Sequence, residues 1–269
     1  MRTAITLVAA LAAVALCGCQ PRSTTTETTP PAVSAAKESP PGPLPVYQCR
    51  RTTDAITIDG EAIEPGWKGA ERVTPLGLWN GGQAKQTTSA ALLWDNEQLY
   101  VSFACADADI QGSMKRRDQN LWEENEVVEL FADAGGDQGC YLEFEVNPLN
   151  AVLDLVIPKG GGPGPIEGKK MWDAKGMKTA VHVTRPGASD GQWTVEMAIP
   201  LNCFLDAPNT PPKPGDEWRI NLYRVDAVSD QVEYQAWSPT NTDTPNFHVP
   251  ERFGVLRFVG GDGGEGSNP

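Results

Sequence analysis

The octapeptide CYLEFEVN, residues 140–147, alternates without a break. Cys140, Leu142, Phe144 and Val146 share one face; Tyr141, Glu143, Glu145 and Asn147 share the other. Such a period suits a half-buried strand and no helix. EVVELFAD, residues 126–133, repeats the pattern, with Val128, Leu130 and Ala132 on one side and Val127, Glu129, Phe131 and Asp133 on the other. AGGDQG lies between the two runs and predicts a hairpin. Residues 90–94 and 99–105 flank the polar turn DNEQ and predict a second. Further strands are predicted at 151–157, 179–184, 193–199, 218–225 and 254–258, with GGGPGP at 160–165 as a long loop. No stretch carries a helical period, and Gly 27 and Pro 23 supply many turns. The expected fold is all-β, an antiparallel, jelly-roll-like β-sandwich in a single domain spanning 47–259.

The paired hairpin strands gather Glu129, Glu143, Glu145, Tyr141 and Asn147 on one polar face. An outer face of this kind is ordinarily solvated in antiparallel sheets, and composition leans that way. A concave binding face is the alternative.

The flanks read differently. Residues 1–18 hold Arg2 and then an apolar run from Ala4 to Leu16, too short for a span and suited to a signal peptide. LCGC resembles a bacterial lipobox, so Cys19 is the expected lipidation site, and acyl chains there would anchor the chain to a membrane. Residues 20–46 are rich in Pro, Thr and Ser and read, with Cys19, as a disordered tether. The tail, 260–269, is Gly-rich and reads likewise. The chain is expected to be exported and anchored by lipid alone. The net charge of −13 argues against nucleic acid and anionic membrane surfaces and suits neutral ligands. Cys49, Cys105, Cys140 and Cys203 either form two disulfides, with three pairings open, or remain thiols.

NLWEENEVVELF, residues 120–131, sets Trp122 beside four glutamates. A glycoside hydrolase needs two carboxyls at about 5–5.5 Å or about 6.5–9.5 Å, and Glu124 or Glu126 with Glu129 or Glu145 are candidates for that alternative. A haem module has only His182 and His248 for axial ligands and no CxxCH. A protein-binding sandwich is a further alternative.

Seven segments in order resemble the family-nine carbohydrate-binding modules: ITIDGEAIEPGWKGAERV, LLWDNEQLYVSFACADADI, NLWEENEVVELFAD, YLEFEVNPLNAVLD, WTVEMAIPL, GDEWRINLYRVD and FHVPERFGVLRF. The resemblance implies a jelly-roll sandwich that binds oligosaccharide without cleaving it and requires no cofactor. It implies two rings sandwiching a terminal sugar, here Trp122 and Phe247, the latter where a tryptophan is usual. It makes Glu129 a hydroxyl acceptor. Glu145 stands where some members carry an arginine, and Arg224, Asn241 and His248 are further contact candidates. Trp237 is expected beside the site, Trp67, Trp94, Trp193 and Trp218 in the core or rim, and Trp79 and Trp172 in loops. The resemblance also allows structural calcium, with Asp107 at a matching position and Asp59, Asp95 and Asp109 as alternatives. Co-localised glycoside hydrolases are the implied partners.

Overall fold

A computed structural model describes residues 42–74, 76–160, 172–228 and 231–261. The signal peptide, Cys19, the tether up to residue 41, the loop from 161 and the tail from 262 lie outside the described residues. Among those described, no helix is long and apolar enough to cross a membrane.

The strands are β1 (Val46–Arg51), β2 (Arg72–Val73), β3 (Gly77–Leu78), β4 (Thr88–Trp94), β5 (Gln98–Ala106), β6 (Val127–Asp133), β7 (Tyr141–Val146), β8 (Val152–Ile157), β9 (Lys178–Thr184), β10 (Gln192–Pro200), β11 (Glu217–Val228), β12 (Gln231–Ala236) and β13 (Gly254–Val259). Among the described residues two short α-helices accompany them, α1 (Pro65–Gly69) and α2 (Leu121–Glu124). The strands follow the order β8-β7-β6-β11-β13-β1-β4-β5-β10-β9, with β12 beside β11. The sheet curls on itself, so its two halves bury one core between them. Val128, Leu130, Phe144, Val146 and Leu222 enter it from one half, and Leu92, Val101, Phe103, Trp193 and Met197 from the other. This is the all-β sandwich expected from the alternation.

The pairing departs from a wholly antiparallel one at β1, which runs parallel to both β13 and β4. Tyr47 fixes that seam: its hydroxyl lies 2.7 Å from the Leu92 N–H, which donates to it, and 3.0 Å from the Leu92 carbonyl. Gly254 at the start of β13 is needed for packing, because a Cβ there would fall 2.5 Å from the Trp237 ring.

Both predicted hairpins form, with Trp94 opposite Leu99 and Val128 opposite Val146. The disulfides do not form. Cys49, Cys105 and Cys203 are buried thiols and Cys140 an exposed one. Trp67, Trp94, Trp193 and Trp218 are buried.

Candidate functional site

The second face of β6, β7, β8 and β11 carries its own apolar cluster, including Val127, Phe131, Tyr141, Leu153, Leu155, Tyr223, Phe247 and Phe253. It is therefore covered, which corrects the expectation of a solvated outer face. Register sets two rows across this face. One runs Tyr223, Glu129, Glu145, Leu153; the next runs Asn221, Phe131, Glu143, Leu155. Glu129, Glu143 and Glu145 are at most 3% exposed. All three line a cleft of about 530 Å³, together with Trp122, Tyr234, Asn246, Phe247 and His248.

Trp122 reaches the cleft from α2, a helix too short to hold itself. Leu121 beneath it is buried, and a knot of asparagines pins the turn. Asn125 Oδ1 accepts from the N–H groups of Ser113 (2.7 Å) and Met114 (3.1 Å) and from Asn147 Nδ2 (3.0 Å). Asn147 Nδ2 also donates to the Met114 carbonyl. The Trp122 ring is left 48% exposed at the mouth of the cleft.

Phe247 lines the same cleft. Its ring stacks on Tyr223 at 4.0 Å and 11°, which takes up one face of it. The Tyr223 hydroxyl donates to the Phe247 carbonyl (2.9 Å) and receives from Asn221 Nδ2 (2.8 Å). His248 follows, its Nδ1 2.7 Å from the Tyr141 hydroxyl and 4.0 Å from Glu143 Oε2. It also borders an adjoining cleft of about 440 Å³ lined by Asp137, Lys159 and Glu251.

Burial pushes the Glu129 and Glu145 carboxyls well above the usual range, and the neighbouring glutamates push them the same way. Glu129 and Glu145 stand directly opposite on paired strands, where like charges destabilise.

The structure thus brings Trp122, Glu129, Glu145, Phe247 and His248 together. Two candidates lie elsewhere, which corrects the placement expected of them. Arg224 pairs with Val128 in the ladder and so points into the core. There it is fully buried, with Nη2 donating to Asp107 Oδ2 and Asp226 Oδ1, each at 2.8 Å, and Nη1 to Thr88 Oγ1 and the Ala106 carbonyl. Asn241 is an exposed turn residue at φ 55°, whose N–H donates to the Trp79 carbonyl; it does not line the cleft. Trp237 packs on Tyr47 and the main core instead of the site.

Asp107 is a poor fit for calcium, which takes 6–8 oxygen ligands. Its Oδ2 already accepts from Arg224 and from Trp193 Nε1 (3.1 Å), and its Oδ1 from the Asp109 N–H (2.9 Å). The guanidinium holds the place of a cation. Asp95 spends its oxygens on its own turn and Tyr100, and Asp59 Oδ1 accepts from the Glu61 N–H.

The sequence profile of carbohydrate-binding family 9 matches residues 91–258, well over half of the chain. The chain belongs to this family. An extracellular protein of Arthroderma benhamiae is 29% identical over 189 residues, 64% of this chain and 78% of the relative. Exoglucanase XynX of Acetivibrio thermocellus is 27% identical over 143 residues, 53% of this chain but only 11% of the enzyme. A family-nine module of Caldicellulosiruptor kristjanssonii, solved in complex with cellotriose, superposes with a TM-score of 0.58 at 18% identity, covering 84% of this chain and 98% of the module. At that identity the likeness is one of fold.

Proposed function

We propose that the sandwich binds carbohydrate without cleaving it, seating a sugar ring on Trp122 with Phe247 and Tyr234 as apolar walls. The observation that carries this is the exposed Trp122 ring beside a row of buried carboxyls in one cleft. Pyranose C–H faces are apolar and match a flat ring, while Glu129, Glu145, Asn246 and His248 offer hydroxyl partners. Family membership and the cellotriose complex of a relative support the reading. Binding uses side chains alone and requires no cofactor.

The name of the fungal relative supports a role outside the cell. With lipidation at Cys19 and the 20–46 tether, the module would hold polysaccharide ends near the cell surface beside separate hydrolases.

Hydrolysis by Glu126 with Glu129 is disfavoured, because Glu126 lies with Asp107 and Arg224 on the core side of β6. Glu124 is exposed outside the cleft lining.

Calorimetry or a glycan array tests the proposal. Trp122→Ala should weaken oligosaccharide binding roughly 5- to 150-fold, since stacking on an aromatic is worth about 1–3 kcal/mol by analogy with bases on rings. Unchanged binding in that variant, or sustained release of reducing sugar by the wild type, would defeat it.

A further inference from the structure

The cleft does not end at His248. That ring lies 5.3 Å from the Phe131 ring, with Nδ1 2.7 Å from the Tyr141 hydroxyl, and it borders both the cleft of about 530 Å³ and the adjoining one of about 440 Å³. Three chain segments carry on from the first cleft into the second. β7 gives Glu145 and Glu143 to the first and Tyr141 to the second. β8 gives Leu155 and Ile157 to the first, and Lys159, just past its end, lines the second. The segment 244–251 lines the first with Asn246 and Phe247, and the second with Pro250 and Glu251. A floor and two walls continued in this order make one groove, running along the strands. Trp122 stands at the end where β6 begins, since α2 closes at Glu124 and β6 opens at Val127. Asp137 and Gln138 stand at the other end, in the turn between β6 and β7. From Glu129 to Asp133 the face advances four residues, about 14 Å at the usual strand rise, which is longer than one pyranose ring.

We propose that the adjoining cleft is a second sugar subsite: a glycan of two or more linked units lies lengthwise along β6 and β7, one unit on Trp122 and the next past His248, where Gln138, Lys159 and Glu251 bind its hydroxyls. This rests on the carbohydrate-binding reading above and adds to it the length and direction of the chain. The lining of the second cleft suits hydroxyls. Lys159 and the Gln138 amide donate, and Glu251 and Asp137 accept. Two acids share the lining with Lys159, so the cleft has no excess of positive charge with which to hold a carboxylate or a phosphate. The turn is shaped by its own contacts. Asp133 Oδ1 accepts from the Gly136 N–H at 2.8 Å and Oδ2 from the Gln138 N–H at 2.9 Å, which holds Gln138 at φ 58°. A side-chain-bearing residue keeps that left-handed backbone only where its surroundings impose it. Tyr141 is 5% exposed, so it offers a floor and no stacking platform. The second unit is therefore held by hydrogen bonds, and it adds less to affinity than the unit on Trp122.

The experiment is calorimetric titration of the full chain with glucose, cellobiose and cellotriose, and with xylose, xylobiose and xylotriose. Where a glycan array selects another sugar, its monomer, dimer and trimer take their place. Affinity should rise about tenfold from monomer to trimer, the gain expected of a few hydrogen bonds of ordinary net strength. Lys159 and Glu251 are exposed, so the double variant Lys159→Ala with Glu251→Ala should fold as the wild type does. In it the ratio of trimer to monomer affinity should fall towards one. Equal affinities for monomer and trimer in the wild type would overturn the second subsite and leave carbohydrate binding standing. A ratio that the double variant leaves unchanged would also overturn it, because the further units would then lie elsewhere. Failure of every sugar tested and of the array would bring down the carbohydrate-binding reading itself.

Discussion

Two clusters of buried acids sit on opposite faces of the same sheet half, and they are built on different terms. On the core face, Asp107, Glu126 and Asp226 surround Arg224, and Trp193, Thr88 and the Ala106 carbonyl share its contacts. On the cleft face, Glu129, Glu143 and Glu145 stand together with no such guanidinium. The first cluster carries its own counter-charge and is sealed. The second lines a cleft that holds no lysine or arginine.

The largest way to break the comparison is Arg224→Met. Removing one partner of a buried ionic group costs about 3–5 kcal/mol, which for a domain of this size lowers Tm by roughly 10 °C or more. Thermal melting followed by circular dichroism measures it. A variant that melts with the wild type would mean that Arg224 does not hold the core acids together.

Glu145→Gln should act in the opposite direction. It removes a buried carboxyl that stands opposite Glu129 in the ladder, and the amide gives its neighbour a donor. The expected gain is about 1 kcal/mol, or roughly 2–4 °C in Tm. A fall in Tm would show that the cleft carboxyls support one another through shared protons, and the contrast between the two clusters would lose its force.

The two faces also differ in how far the sequence foretold them. Alternation placed β6 and β7 correctly and separated Glu126 from Glu129, because a strand's period admits no other arrangement once its ends are known. The same rule applied to β11 puts Trp218, Ile220, Leu222 and Arg224 on one side and Asn221, Tyr223 and Val225 on the other. That parity would have sent Arg224 to the core and revealed Tyr223 as the support for Phe247. Motif likeness pointed elsewhere because a short match such as LYR carries no facing. Asn125 and Asn147 were hidden for another reason: they pin the turn before α2 through contacts with Ser113 and Met114, and such contacts join segments whose nearness is set by the fold. The helices were missed because five and four residues are too few to show a period. β1 was obscured by the Pro-rich run before it, and its parallel pairing is a tertiary outcome with no local signature.

The smallest and most discriminating effect is a slope. Burial and the adjoining Asp107 carboxyl push Glu126 up to about 10, and burial raises Asp226 to about 6 against the pull of Arg224. Glu129 and Glu145 are raised as well. Unfolded carboxyls titrate near about 4, so above that pH the folded chain holds more protons than the unfolded one. Stability is then greatest in mild acid and falls as pH rises, from about 4 through the folded values. Melting temperatures taken between about pH 5 and pH 9 should decline, and Glu126→Gln should flatten that decline by removing one of the raised carboxyls. An unchanged slope in that variant would mean that Glu126 titrates alike in the folded and the unfolded chain.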